Sequence, residues 1–258
     1  MKRKLKILTF IKGAYLSANY SKKSLNEIAE SLFGIYSPER LQLLYSTFSW
    51  KNQVLPAAEI KRSDLSKELN LSFSSCEFTG FQRAANNIHI WGFGRPIAAQ
   101  LQGNPAFWSD LKMTLESFSE NRGDDIYKCL KPITRLLTHN RLGIATVSKW
   151  VCFVDQANLA IFDSRVSIAM RNVKIEGYRA FPVVARRASK GHRAWRASTL
   201  SPIRTANAYI DYLQVLGIVS RAIAGMSVAQ IEMALFMAGD VWSNEGDEMG
   251  ALLPGMWE

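Results

Sequence analysis

Asp163 follows the apolar run Leu159-Ala-Ile-Phe162 and precedes Val166, Ala169 and Met170 at helical spacing, so it stands where a helix begins. A carboxylate in that position caps the helix by accepting backbone N–H bonds. If it is poorly solvated and faces a cleft, the same group stabilises positive charge developing on a sugar carbon, or orients an attacking water. Glycoside hydrolysis by that logic ordinarily needs a second carboxylate. Lys149, beside Trp150, is the companion candidate. An amine desolvated in a cleft gives up its proton more readily and attacks a sugar carbon to form a Schiff base, whereas an exposed one binds phosphate. Trp150 itself reads as core.

Other residues suit the binding of a polyanion. Arg141-Leu-Gly-Ile-Ala-Thr146 reads as a hairpin between two helices: Gly143 lets a phosphate approach the backbone, amides through Ala145 can hold it, and Thr146 caps the next helix or donates to the same anion. A glycine turn between helices also occurs in many proteins that never meet DNA. Trp91-Gly-Phe-Gly-Arg95 reads as a loop closing a helix over 81–91, its two glycines permitting unusual backbone. There Trp91, Phe93 and Arg95 either form a base pocket or pack between lobes. From Arg171 to Arg204 nine basic residues face one acid, Glu176. Lys190, Arg193 and Arg196 are the candidate phosphate ligands and Trp195 a candidate wedge, with a solvated basic loop as the plainer reading.

These groups need helices to hold them. The stretch 139–170 reads as helix, turn, helix, short extended link and a third helix opened by Asp163. Upstream, residues 5–16 are weakly helical, Ser24-Leu-Asn-Glu27 offers a capping box, and Ser37-Pro38 and Asn104-Pro105 start further helices. A short helix is expected over 64–69, and LSFSSCEF alternates like a brief strand. Ile126, Leu130, Ile133 and Leu137 share a helical face that Pro132 is expected to kink. Ser201-Pro202 opens a helix towards Gly225, and Ser227-Val-Ala-Gln230 caps another through about Met237, ahead of an acidic tail. The class is mainly α.

The chain carries 32 Lys+Arg against 22 Asp+Glu, a net +10 that favours a polyanionic partner: nucleic acid, acidic protein or membrane surface. Its 258 residues suffice for one large core or two halves across a cleft. Lys12 interrupts the apolar start and no run is of transmembrane length, so a cytoplasmic protein without membrane contact is expected. Cys76, Cys129 and Cys152 are scattered and odd in number, which points to reduced core thiols and to no metal site.

The order hairpin, Ser148-Lys149, apolar helix, link, Ile161-Phe-Asp163-Ser-Arg-Val166 resembles the helix-hairpin-helix DNA glycosylases, most of all bacterial proteins with an 8-oxoguanine-glycosylase-like fold, over residues 125–172. The resemblance implies two helical lobes around a cleft, divided as 1–120, 121–238 and the tail 239–258. It implies a base-flipping enzyme acting on double-stranded DNA, a monomer that requires no cofactor. In it, Asp163 is the essential aspartate, residues 143–146 are the phosphate-binding hairpin, which in relatives also holds a monovalent cation, and Lys149 is the lysine of strand-cutting members. The substrate is then a hypermodified cytosine of phage DNA, in antiviral defence, or an oxidised purine, in repair. Gly143-Ile144-Ala145 departs from the usual two-glycine hairpin, and alignment on it puts Val147 in the lysine's place, which implies an enzyme that only removes the base. The rival reading is a nonenzymatic DNA-binding module in which Asp163 only caps its helix. A basic protein-interaction domain is a third.

Overall fold

Short polar residues and prolines set the helix starts. Ser37 accepts from the Arg40 N–H ahead of Pro38, Asn104 from the N–H groups of Ala106 and Phe107 around Pro105, and Ser227 and Gln230 bond reciprocally. The first helix starts earlier than expected: Ser21, not Ser24, is its cap, and the Ser24 N–H donates to Ser21 Oγ. A computed structural model describes residues 20–74, 77–139, 142–184 and 200–245, without the side chains of 74, 124 and 240–245. The expected early helix at 5–16, Cys76, Arg141, most of the basic segment and the end of the tail lie outside these residues.

The chain runs α1 (Lys22–Ile35), α2 (Pro38–Ser46), a hairpin of β1 (Ser49–Trp50) and β2 (Gln53–Val54), α3 (Ala57–Ser74), α4 (Phe78–Phe93), α5 (Ala99–Gln102) and α6 (Pro105–Glu120). A 3-10 segment (Gly123–Cys129) leads into α7 (Leu130–Leu136), then come α8 (Ile144–Cys152), α9 (Ser164–Ala169), the antiparallel pair β3 (Lys174–Ile175) and β4 (Tyr178–Arg179), α10 (Pro202–Ala222) and α11 (Val228–Glu245). The protein is mainly α. In β1–β2 Ser49 pairs with Val54 and Trp50 with Gln53, around a turn in which Lys51 and Asn52 both have positive φ.

Two packing groups share one core. α3 lies on α4, α4 on α8, and α6 on α7, while α11 packs against α2 and α9, and α1 against α10. α10 joins them by touching α7, α8 and α11, with Tyr209, Tyr212 and Leu216 fully buried. None of the described helices is long and apolar enough to cross a membrane. Cys129 and Cys152 are buried, unbridged thiols, as expected.

Several expectations need correction. The stretch read as a short helix and then a strand is largely one 18-residue helix, α3. Its inward face carries polar groups: Arg62 binds Gln156, Ser66 Oγ donates to the Phe153 carbonyl and Asn70 Nδ2 to that of Val154. Those residues break the apolar stripe that marks a helix in sequence. Pro132 does not kink a long helix but sits in the first turn of α7, where its missing N–H costs nothing. α11 continues past Met237 to Glu245, so the expected boundary at 238/239 falls inside a helix.

Asp211 of α10 is fully buried, and burial raises its carboxyl to about 7 although Tyr127 OH donates to it at 2.7 Å. The unfolded aspartate titrates near about 3.9. A folded value raised above that makes the contribution to stability complete below about pH 4 and lost as pH rises through about 7. Urea midpoints of the wild type are therefore expected to fall between pH 5 and 8 relative to Asp211→Asn. A parallel pair of profiles would remove Asp211 as the cause.

Candidate functional site

The link between α8 and α9 brings the two chemistry-bearing residues together. Ser148, fully buried, accepts from the Phe162 N–H at 3.0 Å and so ties the link to α8 just before Asp163. Asp163 caps α9: its Oδ1 accepts from the N–H groups of Arg165 and Val166 at 3.0 and 3.2 Å. The other oxygen, Oδ2, lies 3.4 Å from Lys149 Nζ, with the two side chains 16% and 6% exposed. Trp150, the next residue on α8, donates its indole N–H to the Ala85 carbonyl at 2.9 Å and anchors α8 on α4. It is core, as its sequence context indicates.

Around the pair is a recess lined by Phe48, Trp50, Trp91, Ile161, Glu232 and Phe236, with a volume of about 20 Å³, room for about one water. Lys149 Nζ stands 5.0 Å over the Phe93 ring, and the Arg165 guanidinium stands 5.5 Å over Trp50 and 4.4 Å over Phe236. In the wall of the recess Arg62 and Glu232 form an ion pair at 2.9 Å, each 2% exposed, and Arg62 also donates to Cys152 Sγ. Burial raises the Glu232 carboxyl, the nearby Asp163 adds to this, and Arg62 opposes it. Burial likewise pushes the Cys152 thiol up to about 12, which leaves it inert as a nucleophile. Arg62 borders a second recess of about 950 Å³ beyond α3, which neither Lys149 nor Asp163 lines.

The stretch 91–95 is only partly a loop. Trp91, Gly92 and Phe93 end α4, and Gly94 alone has the left-handed conformation, with φ 71°, that terminates it. Gly92 serves a different need: a Cβ there would lie 2.5 Å from Lys149 Cδ, so glycine makes the channel through which the lysine reaches Asp163. Trp91 and Phe93 border the pair. Arg95 is exposed beyond the helix, and its carbonyl accepts from His89 Nδ1. Burial lowers the pKa of His89 and of Lys51, and the charge of Lys149 adds to both shifts.

The hairpin residues form a separate place. α7 and α8 flank the turn, whose entry is held by His139 Nε2 on Asp110 Oδ2 at 2.8 Å, with Arg135 Nε 2.8 Å from the other oxygen as charge partner. Asp110 is 4% exposed, on a helix whose sequence showed only an apolar face. Gly143, not Thr146, is the N-cap of α8, and no side chain caps it. The N–H groups of Thr146 and Val147 return to the Gly143 carbonyl, which leaves those of Ile144 and Ala145 without a partner inside the helix. Gly143 has an ordinary extended φ and nothing within 4 Å of a Cβ, so internal packing does not demand glycine there. The His139 carbonyl accepts from the Leu142 N–H, and the Gly143 carbonyl from those of Thr146 and Val147. Gly143, Ala145, Pro182, Pro202 and Thr205 line a groove of about 300 Å³ at the start of α10. Lys190, Arg193 and Arg196, with Trp195, lie outside the described residues.

Sequence reasoning missed Gly92, Trp50, Arg62 and Glu232. Only the Gly92-Phe-Gly94 pattern drew attention to one of them, and for a different reason. The chain matches no protein-family model, no curated protein and no solved structure.

Proposed function

We propose that the chain is a DNA glycosylase that flips a modified base out of double-stranded DNA and excises it. The observation that carries the reading is the apposition of Lys149 Nζ and Asp163 Oδ2 at 3.4 Å in a small aromatic recess. One oxygen of Asp163 is fixed by backbone N–H groups, so the other is held in place for charge developing on the deoxyribose as the bond to the base breaks. Asp163 orients a water for attack on C1′, or it accepts a proton from the Lys149 ammonium, and the free amine this leaves attacks C1′ itself. In both routes the base leaves with the electron pair of its glycosidic bond and takes up a proton. Water attack leaves an abasic site; lysine attack leaves a Schiff base that leads on to strand cleavage.

The uncapped start of α8 beside an exposed Gly143 suits a DNA phosphate, and the basic segment supplies further neutralisation. Two substrates are candidates on this reading: a glucosylated hydroxymethyl cytosine of phage DNA, or an oxidised purine. The altered hairpin suits a divergent role and favours the first, in antiviral defence. The rival binding module draws support from one observation: a recess of about 20 Å³ holds no base without rearrangement.

The decisive assay is release of free base from duplexes carrying oxidised purines, alkylated bases or glucosylated hydroxymethylcytosine. Release from one class establishes the activity; salt-sensitive binding without release from any class favours the module. Borohydride trapping separates the two routes. Gly92→Ala puts a methyl in the path of Lys149, so a trapped adduct is expected to fall about tenfold or more while base release through water persists. Undiminished trapping in that variant would show that the lysine reaches its target by another path.

A further inference from the structure

Two buried hydrogen-bond donors belong to residues that line this recess. The indole Nε1 atoms of Trp50 and Trp91 are shielded from solvent and have no hydrogen-bond partner among the described residues. Both rings line the recess beside Lys149 and Asp163, their centroids 6.4 Å apart. They come from two elements, Trp50 from the β1–β2 hairpin and Trp91 from the end of α4. Lys51 Nζ links the two by donating to the Trp91 carbonyl at 2.6 Å while it stands over the Trp50 ring. The nearest edge-to-face rings are Phe236 for Trp50 and Phe153 for Trp91, at 5.2 and 5.1 Å, and a ring face is a weak acceptor. Buried indole N–H groups ordinarily find a stronger partner.

Resting on the glycosylase reading, we infer that Trp50 and Trp91 are specificity residues whose N–H groups donate to oxygen atoms of the flipped base. The pocket then favours bases whose inserted edge carries two carbonyl or hydroxyl oxygens over those that set an amino group beside a single ring-nitrogen acceptor. An amino group facing one of the two donors leaves both unpaired in a dry site, the kind of mismatch that gives strong discrimination. Oxidised and hydroxylated bases belong to the favoured class, and adenine alkylated on a ring nitrogen to the disfavoured one. Entry displaces Trp50. It sits on a two-residue strand of a hairpin in which Ser49, Lys51, Asn52 and Val54 are exposed, so little buried surface opposes the movement.

Trp50→Phe and Trp91→Phe keep a ring and remove the donor. Neither breaks a hydrogen bond within the protein, so melting temperatures are expected to stay near that of the wild type. Discrimination between an oxygen-bearing base and 3-methyladenine in matched duplexes is expected to fall about tenfold or more in each variant. A packing role alone would leave that ratio unchanged. In protein with 15N-labelled tryptophan, the seven indole signals are assigned by absence in these variants. Those of Trp50 and Trp91 are expected to shift on addition of free 5-hydroxymethyluracil, and of modified duplex in an Asp163→Asn background, but not of a duplex with an abasic analogue. Base release with stationary indole signals and unchanged discrimination overturns the donors and leaves the glycosylase. Shifted signals with the free base but no release from any duplex keep the donors and overturn the glycosylase. Absence of both overturns both.

Discussion

Asp163→Asn is expected to lower single-turnover base release by about 10²- to 10⁴-fold with little change in fold or in affinity for unmodified duplex. The reason lies in how the two oxygens are used. Oδ1 works for the fold, accepting from the Arg165 and Val166 N–H groups, and an asparagine carbonyl does that equally well. Oδ2 faces Lys149, and in asparagine an NH2 group takes its place, neither able to accept the lysine proton nor to offset positive charge on the sugar. Salt dependence of binding should not change, since no phosphate contact is touched. Release above about a tenth of the wild-type rate would remove Asp163 from the chemistry and return it to the role of a helix cap.

The largest effect on stability is expected at Gly239. A Cβ built there would lie 1.9 Å from the Arg165 carbonyl oxygen and 2.5 Å from its carbonyl carbon, both backbone atoms. No rotamer change relieves such an overlap, so α11 and α9 must separate. Gly239→Ala should cost roughly 3 kcal/mol or more, at the upper end of what overpacking does. For a protein of this size that is about 6–12 °C in Tm. Because α9 starts at the Asp163 cap, the shift also disturbs the carboxylate, and activity should fall even at temperatures where the variant is folded. A melting temperature within about 2 °C of the wild type would mean that the two helices do not meet this closely.

Local chemistry decided what could be read in advance. The Asp163 cap, the caps at Ser37 and Asn104, and the Ser227–Gln230 box are each written in a few consecutive residues, and each is found. What failed was written across distance. α3 hides its helix because Arg62, Ser66 and Asn70 turn polar groups inward to the chain around residues 153–156, a demand invisible until the two segments meet. Gly92 looks like any glycine near a helix end; its use depends on a lysine 57 positions away along the chain. Trp50 lies in a hairpin with no apolar alternation, and only packing against Phe236 and Trp91 brings it to the recess. Lys149 and Asp163 were legible as residue types, whereas their 3.4 Å separation follows from Ser148 holding Phe162.

The enclosure of Lys149 has a consequence for its exposure to unwanted chemistry. Primary amines on a protein surface meet the aldehydes and acylating metabolites of a cell continuously, and exposed ones react with them. Here the stem runs past Gly92, a phenyl ring covers the ammonium and a carboxylate closes the remaining side, with 5% of the residue exposed. Small electrophiles drifting in solution find the other lysines first. The arrangement therefore acts as a protecting group made of protein, removed only by whatever displaces the aromatic wall.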